Sequence, residues 1–166
     1  GYFEMPIKKG ESIVFAASTS EIKISKLKNL FEDEVALRLP RDNFFHCLVN
    51  AAHQFHNRDK NDDRYLLAGY PWFKCRARDT FIALPGLTLS IEEDDYFELV
   101  MKTAERGLRE FMEGKPLSVK IYEIEKPDVP LWAVWAIQQY AKECGKERCK
   151  KLYKGLLCDI IKFIEN

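Results

Sequence analysis

Leu67-Ala-Gly-Tyr-Pro-Trp-Phe73, then Lys74-Cys-Arg-Ala77, then Arg78-Asp-Thr-Phe-Ile-Ala-Leu-Pro-Gly-Leu87 is the stretch that decides how this 166-residue chain is read. Phe81–Leu84 and Leu87–Leu89 read as a helix interrupted by Pro85-Gly86. An apolar element this continuous is expected to be buried on most sides. Arg78 and Asp79 stand at its mouth, where charge is costly unless it is hydrogen-bonded or used. Tyr70, Trp72 and Phe73 lie just upstream. Flat aromatic faces beside a carboxylate and a guanidinium suit a sugar. Pyranose C–H faces pack on the rings, while hydroxyls donate to the carboxylate and accept from the guanidinium. The local alternative is that Asp79 caps the helix and Arg78 pairs with it. Residue types alone leave both readings open.

Working outward, residues 2–25 read as an antiparallel pair of strands. Tyr2, Phe3, Met5 and Ile7 precede a Lys8-Lys-Gly-Glu11 turn, and Ile13-Val-Phe-Ala-Ala17 follows it. From Asp42 the period lengthens: Phe45, Leu48, Val49, Ala52 and Phe55 predict an amphipathic helix to about Asn57. Asn57–Asp63 reads as a charged loop, and Gly69-Tyr70-Pro71 as a turn. Ser90-Ile-Glu-Glu93 reads as a capping box opening a helix that carries Tyr96, Leu99, Val100, Thr103, Ala104, Gly107, Leu108 and Phe111. Gly114-Lys-Pro116 ends that helix, and Leu117–Tyr122 is expected to be extended. Asp128 stands where an N-cap belongs, with Pro130 in the first turn of a helix reaching Gly145. The last helix carries Cys149, Leu152, Tyr153, Leu156, Leu157, Ile160, Ile161 and Ile164. The class is mainly α, with tandem helices joined by short turns. Periodicity does not separate a bundle, a solenoid and an α/α barrel.

Composition narrows the function classes. Lys+Arg and Asp+Glu both number 26, and this zero formal charge argues against nucleic acid as the main partner. No apolar run approaches the roughly 18 residues that span a bilayer. Cys47, Cys75, Cys144, Cys149 and Cys158 are odd in number and irregular in spacing, which predicts reduced thiols in a reducing compartment. His46, His53 and His56 share a broad helical side, for which packing and surface roles are commoner than metal binding. No metal site is assigned. The pairs Asp62/Asp63 and Glu92–Asp95 read as a solvated turn and a dipole-favoured first turn. Trp132 and Trp135 suit either a sugar cleft or core packing.

The quoted stretch resembles the signature of the C-terminal domain of glycogen debranching enzymes, the amylo-α-1,6-glucosidase unit. That family reads A-G-Y-P-W-F, four residues, R-D-T, and an apolar run ending L-P-G-L. Asn50-Ala-Ala-His-Gln-Phe55 resembles its A-A-D-Q-F helix, with His53 at the acid. Asp128 followed by Leu131-Trp132 resembles its V-D-A-x-L-W-F segment. Residues 1–20 resemble the end of the β-sandwich that precedes the barrel. Arg76-Ala77 replaces the family's usual W-G, which removes an aromatic platform. The family's N-R-F stretch is not evident, and Leu117-Ser-Val119 stands near its place.

The resemblance implies a partial α/α toroid of the six-hairpin glycosidase type. Residues 1–25 would be strands left over from the β-sandwich, and residues 26–166 the first helices of the barrel. It implies hydrolysis of α-1,6-linked glucose at a branch point, with inversion by one carboxylic acid and one carboxylate. Arg78 and Asp79 would hold the non-reducing-end glucose, with Trp72, Tyr70 and Asp128 as further contacts. The catalytic pair is expected beyond residue 166, so no residue of this chain is assigned as catalytic. No metal or organic cofactor is implied. Glycogen or another branched α-glucan is the expected partner, the cytoplasm the expected location, and self-association through exposed helix faces is expected of a cut barrel. Rival readings are a non-catalytic glycan-binding module and a helical-hairpin scaffold that binds protein.

Overall fold

The computed structural model describes residues 2–70 and 72–165. Gly1, Pro71 and Asn166 lie outside the described residues, and with Pro71 goes part of the predicted Gly69–Pro71 turn. The chain divides into two compact units, Gly1–Cys47 and Leu48–Asn166.

In the first unit the predicted strand pair is not formed: residues 2–23 contain neither strand nor helix. Its turn is present. Glu11 N–H donates to the Lys8 carbonyl at 3.0 Å, and Gly10 takes the left-handed conformation (φ 87°) that such a reversal needs. Phe3 and Phe15 meet across it with ring centroids 5.6 Å apart. The physical reason for the missing ladder is burial. Tyr2, Phe3, Ile7, Ile13 and Phe15 all stay exposed, and an isolated two-stranded pair without a covering face is marginal. A single turn of 3-10 helix at Ile24–Lys26 leads into helix α1, Leu27–Ala36, which the sequence reading did not assign and which buries no residue.

Helix α2, Phe44–His53, crosses the boundary between the units and ends four residues before the predicted limit. The predicted charged loop instead begins as a strand. β1 (His56–Arg58) pairs antiparallel with β2 (Arg64–Leu66), with Asn57 opposite Tyr65. The hairpin's tip is polar but ordered. Asp59 Oδ1 accepts from the Asn61 and Asp63 amides at 2.8 and 3.2 Å, and Asp62 adopts φ 68°.

Helix α3, Ala77–Leu87, starts earlier than its apolar run and passes through Pro85 without a break. Proline lacks the N–H that would reach back one turn, but only two helical residues follow. At the end of the helix the Thr88 hydroxyl donates to the Leu84 carbonyl at 2.6 Å. After a 3-10 turn at Leu89–Ile91 comes helix α4, Asp94–Met112. The predicted capping box does not form. Ser90 lies within the 3-10 turn, Glu92 is left-handed, and Glu93 holds the N-cap without a side-chain bond. The first turn of α4 instead carries Asp94 and Asp95, whose charges favour the positive helix end. The buried stripe of α4 holds Val100, Thr103, Ala104, Gly107 and Leu108 as predicted, is widened by Phe97 and Met101, and leaves Leu99 exposed.

Gly114 (φ 67°) ends α4; residues 117–122, expected to be extended, form no strand but a bend at Val119 and an isolated bridge from Tyr122 to Arg76. A Cβ on Gly107 would lie 2.5 Å from Val119 Cγ2 and 2.9 Å from Ile124 Cδ1, so glycine is what lets this segment lie against the helix. Helix α5 is Val129–Glu143, with Pro130 in its first turn. Gly145 (φ 92°) makes the reversal into helix α6, Lys146–Glu165. α3 packs on α5, α5 on α6, and α4 on α6 and β2. Phe81, Phe97, Ile124, Ile137, Tyr140 and Leu156 lie at the centre. The architecture is mainly α. All five cysteines are free thiols, and no described helix is long and apolar enough to cross a membrane.

Candidate functional site

The first turn of α3 and the start of α5 are brought together by one salt bridge. Arg78 Nε donates to Asp128 Oδ2 at 2.7 Å, and Nη2 donates to Oδ1 at 2.9 Å. This is the two-pronged geometry that fixes a guanidinium in plane. Trp132, one turn along α5, donates its indole Nε1–H to the same Asp128 Oδ2 at 3.1 Å. Asp128 therefore occupies the N-cap position without capping; its carboxylate is spent on Arg78 and Trp132. Arg78 holds the Asp128 carboxyl below the ordinary carboxylate range, and Asp128 raises the guanidinium in turn, assisted by the nearby charges of Glu123 and Asp79.

Asp79 differs from both. It is exposed in the first turn of α3, whose N-cap is Arg76. The local expectation that it pairs with Arg78 and caps the helix is thus replaced: Arg78 bonds Asp128, and the Asp79 carboxylate faces water with no hydrogen-bond partner among the described residues. A carboxylate beside a fixed guanidinium, both at helix starts, is ready to accept hydroxyl protons from a polyol.

Next to this pair the backbone is pinned rather than coiled. Ala77 N–H donates to the Tyr122 carbonyl and Tyr122 N–H to the Cys75 carbonyl, both at 2.9 Å. Arg76, which stands where the resemblance calls for tryptophan, lies over the Phe73 ring at 5.9 Å and pairs with Glu123 at 3.1 Å. Lys74 lies over the Tyr122 ring at 4.7 Å. Lys74 (φ 55°) and Glu123 (φ 59°) are both left-handed without being glycine, a cost borne on either side of this bridge. Together these residues line an open cleft of about 680 Å³, with Trp72, Phe73, Arg76, Tyr122 and Glu123 on its walls. Trp72 is 80% exposed, so its indole face is free for a flat ligand.

Of the residues expected to bind sugar, Arg78 and Asp128 are in contact, Asp79 adjoins them, and Trp72 lines the neighbouring cleft. Tyr70 lies apart from that cleft: its hydroxyl donates to the Gln54 carbonyl and its ring meets Phe55 at 6.0 Å. Glu123 was not anticipated. Nothing in its sequence context marks it, because its role comes from pairing with Arg76 across the chain. The histidines also separate. His46 Nδ1 is 2.7 Å from Asp42 and 3.0 Å from the Pro40 carbonyl, whereas His53 and His56 converge on Glu93.

Comparison with curated proteins and with solved structures returns no match. A family profile described as amylo-alpha-1,6-glucosidase matches residues 49–164, which takes in α3, the Arg78–Asp128 bridge and every helix after it. On that match the chain belongs to the amylo-alpha-1,6-glucosidase family.

Proposed function

We propose that this chain supplies the glucose-positioning part of a glycogen-debranching α-1,6-glucosidase. In this reading residues 26–166 are the first helices of an α/α toroid, and residues 1–25 lead into it. Asp79 accepts hydroxyl protons from the terminal glucose. Arg78, held in plane by Asp128, offers its remaining N–H groups to neighbouring oxygens. Trp72 packs on a sugar face, while Tyr70, whose hydroxyl is held by the Gln54 carbonyl, is left outside the contact set. The reaction is an inverting hydrolysis that needs a protonated acid and a water-activating carboxylate, neither of which we assign to a residue here. The substrate is a branched α-glucan in the cytoplasm. The observation that carries the reading is the Asp79 carboxylate, exposed beside a guanidinium that Asp128 already orients, with Asp128 itself held by Trp132.

Titration with maltose and isomaltose should produce a saturable change in tryptophan fluorescence, while incubation with a branched limit dextrin should release no glucose. A flat fluorescence response would remove carbohydrate binding. Glucose release would place the acid and base within these residues.

A second reading, a glycan-binding module without turnover, is favoured by Arg76. Its guanidinium covers the Phe73 ring and engages Glu123 where the family carries an aromatic platform. Leu131, Ile161 and Ile164 are each more than half exposed on α5 and α6. We expect them to drive self-association, and a strictly monomeric mass by light scattering at high concentration would exclude it.

A further inference from the structure

His53 closes α2, His56 opens β1, and Glu93 holds the N-cap of α4. Their donor atoms all lie within 4.8 Å of one another, although 40 residues separate the ends of the set. The half-buried His56 is the fixed member. Its Nε2 is 3.0 Å from the Leu87 carbonyl, and a carbonyl only accepts, so Nε2 carries the proton. The Tyr96 ring lies against the imidazole with centroids 4.0 Å apart and planes 12° from parallel. Tautomer and ring plane are thereby set, and in the neutral ring the free lone pair is on Nδ1. That lone pair stands 3.7 Å from one Glu93 oxygen, acceptor toward acceptor. The other Glu93 oxygen lies 2.6 Å from Nε2 of His53.

With His56 neutral, two acceptors face each other, and a cation between them would satisfy both. We infer that His53, His56 and Glu93 bind a divalent transition-metal ion of the zinc type, through two imidazole nitrogens and one carboxylate, with water completing the shell. The donor set is borderline in softness, which suits zinc or cobalt and disfavours the all-oxygen preference of calcium and magnesium. A carbonyl on the far nitrogen of a ligating histidine is the usual outer partner of such a site. Tetrahedral zinc at about 2.0–2.1 Å from each atom needs donors roughly 3.3 Å apart. The spacings of 2.6 and 3.7 Å run to different Glu93 oxygens, and the set extends to within 4.8 Å, so its members draw together by about an ångström when an ion enters. His53 is exposed and Glu93 half-exposed, so both have room to adjust. On binding, the metal takes the place of the proton on His53 Nε2, and the neutral ring carries its one N–H on Nδ1 instead. This site is independent of the glucan reading, since neither Asp79 nor Arg78 touches it.

The test is calorimetric titration of the full metal-free chain with Zn2+, together with visible absorption on adding Co2+. One ion per chain is expected, with cobalt bands of a four-coordinate nitrogen and oxygen site. His53→Gln and Glu93→Gln, each checked for native helicity by circular dichroism, should weaken zinc by more than about 100-fold, the upper end of what outer-shell changes alone cost. Cys47→Ser/Cys158→Ser should bind as the unaltered chain does. The inference is overturned if millimolar metal gives neither heat nor cobalt bands. Binding that survives both His53→Gln and Glu93→Gln overturns it as well, as does binding lost with the two exposed thiols.

Discussion

Replacing Phe97 with alanine should cost about 3–5 kcal/mol of folding free energy, the range for emptying a buried aromatic site. Phe97 is fully buried on α4. Its ring stacks on Tyr140 of α5 at 4.9 Å and meets Tyr153 of α6 edge-on at 6.4 Å, while the two tyrosines are 5.4 Å apart and nearly perpendicular. Three helices therefore close on one aromatic cluster, and truncating its central ring leaves a void that no single helix can fill. The polar rim makes collapse harder still. The Tyr140 hydroxyl donates to Glu98, which Arg148 also reaches at 2.6 Å, and Arg148 holds Asp94. Those bonds fix Tyr140 away from the space that alanine would open. Phe97→Leu should cost about 1.5 kcal/mol or less because it keeps most of the volume. Urea denaturation followed by circular dichroism separates the two. A loss under about 1 kcal/mol for Phe97→Ala would mean that the cluster does not hold the three helices together.

The same cluster shows what the sequence could and could not disclose. Helices α4, α5 and α6 were legible because a 3.6-residue period survives in any long amphipathic helix. Most of the inward face of α4 was legible too, since Val100, Thr103, Ala104, Gly107 and Leu108 are buried as read; Phe97 and Met101 were missed because their burial depends on α5 and α6. Gly114 and Gly145 marked reversals correctly because a positive φ is a local demand. The β1–β2 hairpin escaped because β1 and its turn are polar and each strand is only three residues long, although Tyr65 and Leu66 of β2 are buried in the core. It is held by Asp59 turning on its own backbone and by the Arg64 amide donating to Thr103 on α4 at 3.2 Å, a partner 39 residues away. The strand pair over residues 2–25 was read from β-branched and aromatic content, which describes a half-buried surface and cannot provide one.

The candidate site divides along the same line. Arg78, Asp79 and Trp72 were found through the spacing of a motif, and Asp128 through a second motif 50 residues later. That Arg78 would choose Asp128 over its neighbour Asp79 depends on α3 packing on α5, which no local rule contains. Arg76 was visible as a departure from the family pattern. Its partner Glu123 was not, because a glutamate held at φ 59° looks like any other until the Arg76–Tyr122 bridge is formed.

Asp79→Asn should weaken maltose and isomaltose by about 10–100-fold, the equivalent of one or two hydrogen bonds to a charged acceptor. Asp79 makes no hydrogen bond to a described side chain, so the amide should cost at most the ~0.3–1 kcal/mol of a first-turn charge and move the melting temperature little. A loss of affinity without a loss of stability then reports the ligand alone. Arg78 behaves otherwise. Arg78→Lys keeps the charge but surrenders the planar fork on Asp128, so lysine should not restore binding although it restores the charge. If Asp79→Asn binds both sugars as the unaltered chain does, the exposed carboxylate is a solvated helix-start charge and the glucose contact must lie elsewhere. If it binds weakly but also melts early, Asp79 has a structural partner and its contribution to the sugar is not separable. Only weak binding at unchanged stability assigns the hydroxyl-accepting role to this side chain.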